Sequence, residues 1–186
     1  MVLGCLLVGS TPVQAEPVKL AVDSKRSQIH FTAYQALAKT RGTFRRWSGT
    51  FQLDPDDPTA HKARVEIETA SIDTGLGIRD GHLREPERFD VKRHPKIVFE
   101  ARTFKPAKDG RMVVSGTITA KGRKTPVTMK LSISWSGTPG SRKVRVKGWT
   151  LLDRNELGLD FKAPWYVPAI KNKVAFSLEI VLVQKR

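Results

Sequence analysis

Ser71, Asp73, Asp80, His82 and Arg84 fall within fourteen consecutive residues, Ser-Ile-Asp-Thr-Gly-Leu-Gly-Ile-Arg-Asp-Gly-His-Leu-Arg, spanning 71 to 84. A serine nucleophile needs a base, and His82 oriented by Asp80 is the nearest one offered. Such triads are defined by geometry, however, and this stretch carries neither a nucleophile-elbow motif nor a recognisable oxyanion hole. A metal would have to use His82 and His94 with Asp80 or Glu85. Those residues lack compact ligand spacing, and the chain contains no His-Glu-x-x-His. Architecture accounts for more of the side chains. Ser71 and Asp73 suit turn amides, Gly75 and Gly77 permit positive φ, and Asp80 suits the cap of a short helix. Arg79 suits pairing with a nearby carboxylate, and Leu83 and Phe89 are placed to close an apolar interior. No catalytic residue and no metal ligand is assigned. An enzyme acting through residues 71–94 stands as an alternative.

The elements around this stretch are strands. Ile29, Phe31 and Ala33 alternate with His30 and Thr32, and Val65 and Ile67 alternate with Glu66 and Glu68. Ile97, Phe99 and Ala101 form a third apolar row, and Met112, Val114, Gly116, Ile118 and Ala120 a fourth. Val127 to Trp135 and Val174 to Leu182 repeat the pattern. Several half-buried strands joined by turn segments predict an all-β domain. Only residues 75–93 break the period at length, which predicts a connection with one short helix.

One row slips phase. Gly42 and Phe44 share one parity, while Trp47, Gly49, Phe51 and Leu53 share the other, so an extra residue near Arg45-Arg46 is expected. Glycines at 42, 49, 116 and 148 favour strong coiling over a flat sheet. The prediction is a single closed antiparallel β-barrel of about eight strands, wide enough for one small ligand. Trp149 is out of phase with Val144 and Val146, which marks either a second bulge or an aromatic turned outward toward a membrane surface.

The chain has 186 residues and a net charge of +15, with 33 Lys and Arg against 18 Asp and Glu. Such a balance speaks of partners rather than of fold. In Arg142 to Lys147 the basic residues alternate with Val144 and Val146, which puts charge on an exterior rather than in a groove. An anionic membrane surface fits that distribution, and no nucleic-acid partner is expected. Residues 1–15 carry no charge and end in Val13-Gln14-Ala15, like the apolar and cleavage regions of a secretory signal. They lack the basic start, so either the signal is atypical or, the favoured expectation, it continues N-terminally, with residues 16–186 as the mature domain. Cys5 is the one cysteine. As part of the leader it is an ordinary apolar residue or, alternatively, a lipidation site. The mature domain is left without thiol chemistry.

Six stretches occur in an order that resembles the YceI-like family of periplasmic polyisoprenoid-binding proteins. They are VDSKRSQIHF (22–31), GTFRRWSGTFQLDP (42–55), ASIDTGLGIRDGHLR (70–84), RFDVKRHPKIVFEA (88–101), SGTITAKGRKTPVTMKL (115–131) and DRNELGL (153–159). The resemblance runs from Val18 to Leu182. Arg88 stands where the family often has an aromatic, and Tyr34-Gln35 where many members have a histidine. The resemblance implies a lipocalin-like barrel whose elongated apolar cavity holds an isoprenoid quinone or another long-chain amphiphile. It implies an exported, periplasmic, non-enzymatic carrier or sequestering protein with no cofactor beyond the bound lipid. Oligomeric state is left open, a dimer included. From the residues themselves, the inner rows are either core packing or a cavity wall. If they are a wall, the expected ligand-facing residues are Phe31, Phe44, Phe51, Ile67, Phe99, Ala101, Gly116, Ile118, Phe176 and Leu178. Ala101 and Gly116 are expected to border open space. The alternatives are an enzyme acting on a lipid or quinone through residues 71–94 and a basic membrane-surface protein with no buried ligand.

Overall fold

The computed structural model describes residues 18–36, 38–160 and 169–185; the expected leader, with Cys5, lies outside them. Eleven antiparallel segments make up the sheet. β1 (Val18–Val22) and β2 (Gln28–Tyr34) run end to end, as do β3 (Lys39–Phe44) with β4 (Trp47–Leu53) and β5 (Lys62–Glu68) with β6 (Ile72–Asp73). The other strands are β7 (Lys96–Pro106), β8 (Met112–Ala120), β9 (Arg123–Ser136), β10 (Lys143–Asp153) and β11 (Lys173–Gln184). Each end-to-end pair acts as one bent strand, so the barrel has eight. It closes where β11 pairs with β10 on one side and with both β1 and β2 on the other.

The phase slip is real and larger than a single bulge. Arg45 and Arg46 both face outward between β3 and β4, and the two neighbouring strands bend beside them. From Leu20 to His30 one strand advances ten residues while its partner advances eight, from Thr43 to Phe51. From Ile67 to Asp73 six residues oppose the four between Thr43 and Trp47. The surplus is taken up in short 3-10 turns at Ser24–Arg26 and Thr69–Ser71. Side chains and loop amides replace the missing ladder bonds. The Val181 amide donates to Ser27 Oγ at 2.9 Å, and the Asp23 amide donates to the Val181 carbonyl at 2.8 Å. This seam divides the barrel into two halves.

Below the seam the interior is filled. Leu53, Val114, Val144 and Leu182 are each at most 2% exposed, with Leu20, Phe104 and Leu131 beside them. The Asp-Pro-rich turn at 54–59 seals this base. Asp54 Oδ1 accepts the amides of Asp56 and Asp57 at 2.9 and 3.2 Å, and Asp57 caps the turn Pro58–Ala60 through the Thr59 amide. His61, 7% exposed, accepts the Asp54 amide at Nδ1 and sets its ring edge-on to Phe104.

Above the seam lie the α-helix Gly77–Arg84 (α1) and the loop after β10. Strand β10 runs in unbroken register from Lys143 to Asp153, so Trp149 marks no bulge. It faces outward, 60% exposed, beside Leu151 at 51%.

Candidate ligand-binding site

The upper half is held by polar ties and by a second apolar cluster, in which Leu83 and Phe89 pack with Phe31, Phe44, Ile72 and Val174. α1 starts without a side-chain cap at Leu76. Asp80, predicted to cap it, lies in its first turn and reaches back to the Thr74 amide at 3.0 Å and the Thr74 hydroxyl at 2.5 Å. Its carboxylate, 5% exposed, also suits the positive end of the helix. Arg84, in the last turn, donates Nε to the Ala70 carbonyl at 2.8 Å and Nη2 to the Ile72 carbonyl at 2.7 Å. Arg79 bonds Thr74 through its hydroxyl and carbonyl, in place of the carboxylate expected for it. Asp73 pairs with Arg45 and accepts the Gly75 amide at 2.8 Å. That amide, then Arg45, holds the Asp73 carboxyl below the usual range. Gly75 has φ near +78°, whereas Gly77 keeps an ordinary φ.

These bonds dismantle the triad. Ser71 is 4% exposed, and its hydroxyl donates to the Glu68 carbonyl at 2.6 Å and the Arg46 carbonyl at 3.1 Å. The hydroxyl fastens the seam instead of facing a substrate. Asp80 is turned to Thr74, and His82 lies exposed on α1. Among the described residues no three His, Cys, Asp or Glu gather in a way that could hold a metal.

Between α1 and the barrel interior lies a cavity of about 620 Å³. Its walls include Phe31, Ala33, Ile72, Leu83, Phe89, Leu152, Val174 and Phe176. Leu157 and Leu159 reach it from the loop after β10, buried to 4% and 7%. That loop is anchored over the β8–β9 turn, where Thr125 Oγ1 donates to the Glu156 carbonyl at 2.9 Å. The polar groups cluster at the opening: Gln35, Arg79, His82, Glu85 and Arg88, beside the exposed side chains of Leu76 and Ile78. Arg154 lies at the same rim and donates Nη1 to the Leu159 carbonyl at 2.5 Å. A second, apolar space of about 100 Å³ continues inward past Phe89, Leu152, Leu157, Leu159 and Phe176, which border both spaces. The arrangement suits a molecule with one polar end and a long apolar remainder.

Seven of the ten residues expected on a ligand-facing wall border these spaces. Phe31 faces the outer one, Phe176 both, and Phe44, Ile67, Phe99, Ile118 and Leu178 the inner one. Phe51, Ala101 and Gly116 border neither. Phe51 is 5% exposed, with its ring over Gly49. The expected room at Gly116 is taken by the Glu100 carbonyl and the Phe99 ring. A Cβ on Gly116 would stand 2.8 Å from Phe99 Cε2 and 2.3 Å from the Glu100 carbonyl oxygen. Period-two alternation could not find Phe89, Leu157 or Leu159, which lie outside strands. Leu83 and Phe89 were legible only as apolar residues beside a predicted helix.

A family model described as a YceI-like domain matches residues 20–182. A UPF0312 protein of Ectopseudomonas mendocina is 30% identical over 158 residues, covering 82% of this chain and 81% of that protein. A UPF0312 protein of Pseudomonas savastanoi is 26% identical over 167 residues, covering 88% and 87%. Among solved structures, Burkholderia cenocepacia BcnA superposes with a TM-score of 0.78 at 22% identity, over 86% of this chain and 98% of that one. A polyisoprenoid-binding domain from Saccharophagus degradans, implicated in plant cell wall breakdown, superposes at 0.67 and 14% identity, over 90% and 99%. These likenesses show a shared barrel.

Proposed function

The chain belongs to the YceI-like domain family, and on that premise we propose that it is an exported carrier or sequestering protein for a long-chain isoprenoid amphiphile, an isoprenoid quinone foremost. The observation that carries this is the apolar cavity of about 620 Å³ with its polar groups gathered at one opening. The polyisoprenoid binding of the Saccharophagus domain, which shares the barrel, supports the ligand class. Burial of each methylene favours binding by about 0.8 kcal/mol, so a prenyl tail needs few polar contacts, and ordering the tail offsets part of the gain. The lipid is the bound group, and no other cofactor enters the proposal. Ser71 and Asp80 are engaged in structural bonds, which favours binding over catalysis at residues 71–94.

Organic extraction and mass spectrometry of protein purified from its own host test the proposal. One isoprenoid amphiphile at close to one per chain is expected, and its absence would overturn it. Export and a periplasmic location are proposed from the uncharged residues 1–15. N-terminal sequencing of protein from the periplasmic fraction should begin at Glu16.

An anionic membrane surface is proposed as a second partner. Trp149 and Leu151 face outward on β10, beyond Lys143, Arg145 and Lys147 on the same face. Vesicle binding should weaken steeply with salt, because exposed charges are screened within about 8 Å at physiological ionic strength. Ligand inside the barrel should respond little to the same salt. Tighter binding to duplex DNA than to anionic vesicles at matched salt would reject the membrane surface.

A further inference from the structure

Among the described residues the exposed large apolar side chains are Tyr34, Leu76, Ile78, Trp149 and Leu151, with Ile78 the most open at 73%. The strand register gathers them on one side of the barrel. Trp149 pairs with Ser177 and Ser177 with His30, while Leu151 runs through Ala175 and Thr32 to Arg41. Tyr34 continues the outward row of His30 and Thr32 toward the mouth, on a strand about 10 Å from β10 at the usual spacing. Gln35, next in the chain, borders the cavity opening together with Thr40, Leu76 and Ile78. The patch therefore runs from the outer wall at β10 to the lip of the mouth. Among the described residues β4, β5, β7, β8 and β9 expose no large apolar side chain. A single exposed leucine is ordinary, but a run of such side chains along one edge marks a contact surface.

The same edge is basic. Lys130 pairs with Trp149, Arg41 with Thr32 and Lys39 with Tyr34, and all three cations are exposed. A second copy of this chain docked on the patch would bring these cations against their own counterparts. A surface of anionic headgroups meets both the charge and the apolar side chains. We infer that the protein docks on an anionic bilayer by this edge, with Leu76 and Ile78 entering the acyl boundary and the mouth facing the lipid. The inference rests on the membrane-surface reading and deepens it by fixing which way the cavity faces. Tyr34 and Trp149 take the headgroup level, where rings with one polar end settle. Leu76 and Ile78 gain by leaving water. With the mouth against the lipid, an amphiphile moves between bilayer and cavity without drawing its tail through water.

The test is flotation of protein from its own host, and of its variants, with phosphatidylcholine vesicles that contain or lack phosphatidylglycerol. Leu76→Ser with Ile78→Ser should weaken binding to the anionic vesicles by about tenfold or more, since two apolar anchors are lost. Arg41→Glu at the edge and Lys108→Glu in the β7–β8 turn at the base make the same change in net charge. The first should cost about tenfold and the second less than about twofold, because attraction to headgroups fades within a Debye length. Hydrogen exchange of the vesicle-bound protein should slow at residues 76–82 and stay unchanged at 107–111. Equal losses from Arg41→Glu and Lys108→Glu would overturn the docking edge, as would slowing at 107–111 in place of 76–82. A dimer that Leu76→Ser with Ile78→Ser dissolves, with vesicle binding unchanged, would give the edge to a second copy and overturn it too. If the parent protein binds neither kind of vesicle, the membrane-surface reading itself falls, and the edge with it.

Discussion

The two ends of the barrel use the same period-two pattern for opposite purposes. At the base, Leu53, Val114, Val144 and Leu182 meet across a narrow interior and leave no exposed surface to speak of. At the mouth, Phe31, Ala33, Val174 and Phe176 occupy equivalent inward positions, yet they border open space. The residues do not explain the contrast, since large apolar side chains stand at both ends. The seam explains it. Surplus residues at 23–27 and 69–71, beside the Arg45-Arg46 kink, bend three adjacent strands together. Polar bonds from Asp80, Arg79 and Arg84, with Leu83 and Phe89 packed on Phe31, Phe44 and Ile72, then hold the helical flap over a space left open. The base is packed throughout, whereas the mouth packs a smaller apolar cluster beside a cavity.

That contrast is sharpest under truncation. Leu182→Ala at the base should cost about 2–5 kcal/mol in denaturant unfolding, as large-to-small changes in filled cores do. Phe176→Ala at the mouth should cost the empty protein less, about 1–2 kcal/mol, because its side chain already borders a void. Its larger effect should be on lipid loading. Equal losses at the two sites, with loading unchanged, would mean that both ends are simply core. Gly116→Leu should fall on the base side of the comparison. The Cβ alone meets the Glu100 carbonyl oxygen at 2.3 Å, so overpacking of about 1–3 kcal/mol is expected, measured in the same unfolding experiment.

The polar ties give an intermediate effect. Asp80→Ala removes the acceptor of the Thr74 amide and hydroxyl, and leaving a buried donor unpaired costs about 1–3 kcal/mol. The loss should be concentrated at the mouth, so hydrogen exchange should quicken at residues 74–84 and stay unchanged in β9. Uniform quickening would tie the flap to the whole barrel and erase the division at the seam.

The smallest effect separates the two ends by pH. Burial pushes the His61 imidazole below its ordinary range, opposed by Asp54 and Asp57. Because the folded form resists protonation, the unfolded chain binds more protons once pH falls below about 6.5, where an unperturbed histidine titrates. The contribution is thus intact above that pH and is lost as acidity rises toward the folded value. His61→Asn retains an acceptor for the Asp54 amide without the titration. It should flatten the melting temperature between pH 6.5 and 5. Carboxylates such as Asp73, held low by the Gly75 amide and then by Arg45, act only below the usual carboxylate range. A variant as acid-sensitive as the parent across the upper window would remove His61 from the base's account.

Alternation, turn residues and the phase slip were enough to specify an antiparallel barrel with one helix, because period-two burial is a local property of each strand. The inward row of β8 and the outward cations of β10 were legible residue by residue. The engagement of Ser71 with carbonyls was not, since the partners, Arg46 and Glu68, come together only across the seam. Nor was the crowding at Gly116, because Phe99 reaches it from the neighbouring strand. An inward-facing side chain looks the same in sequence whether it meets another side chain or a void. Parity therefore named Phe31 and Phe51 as equals. The closure of β11 on β1 and β2, together with the bend between them, put one on the wall of a cavity and the other in the floor beneath it.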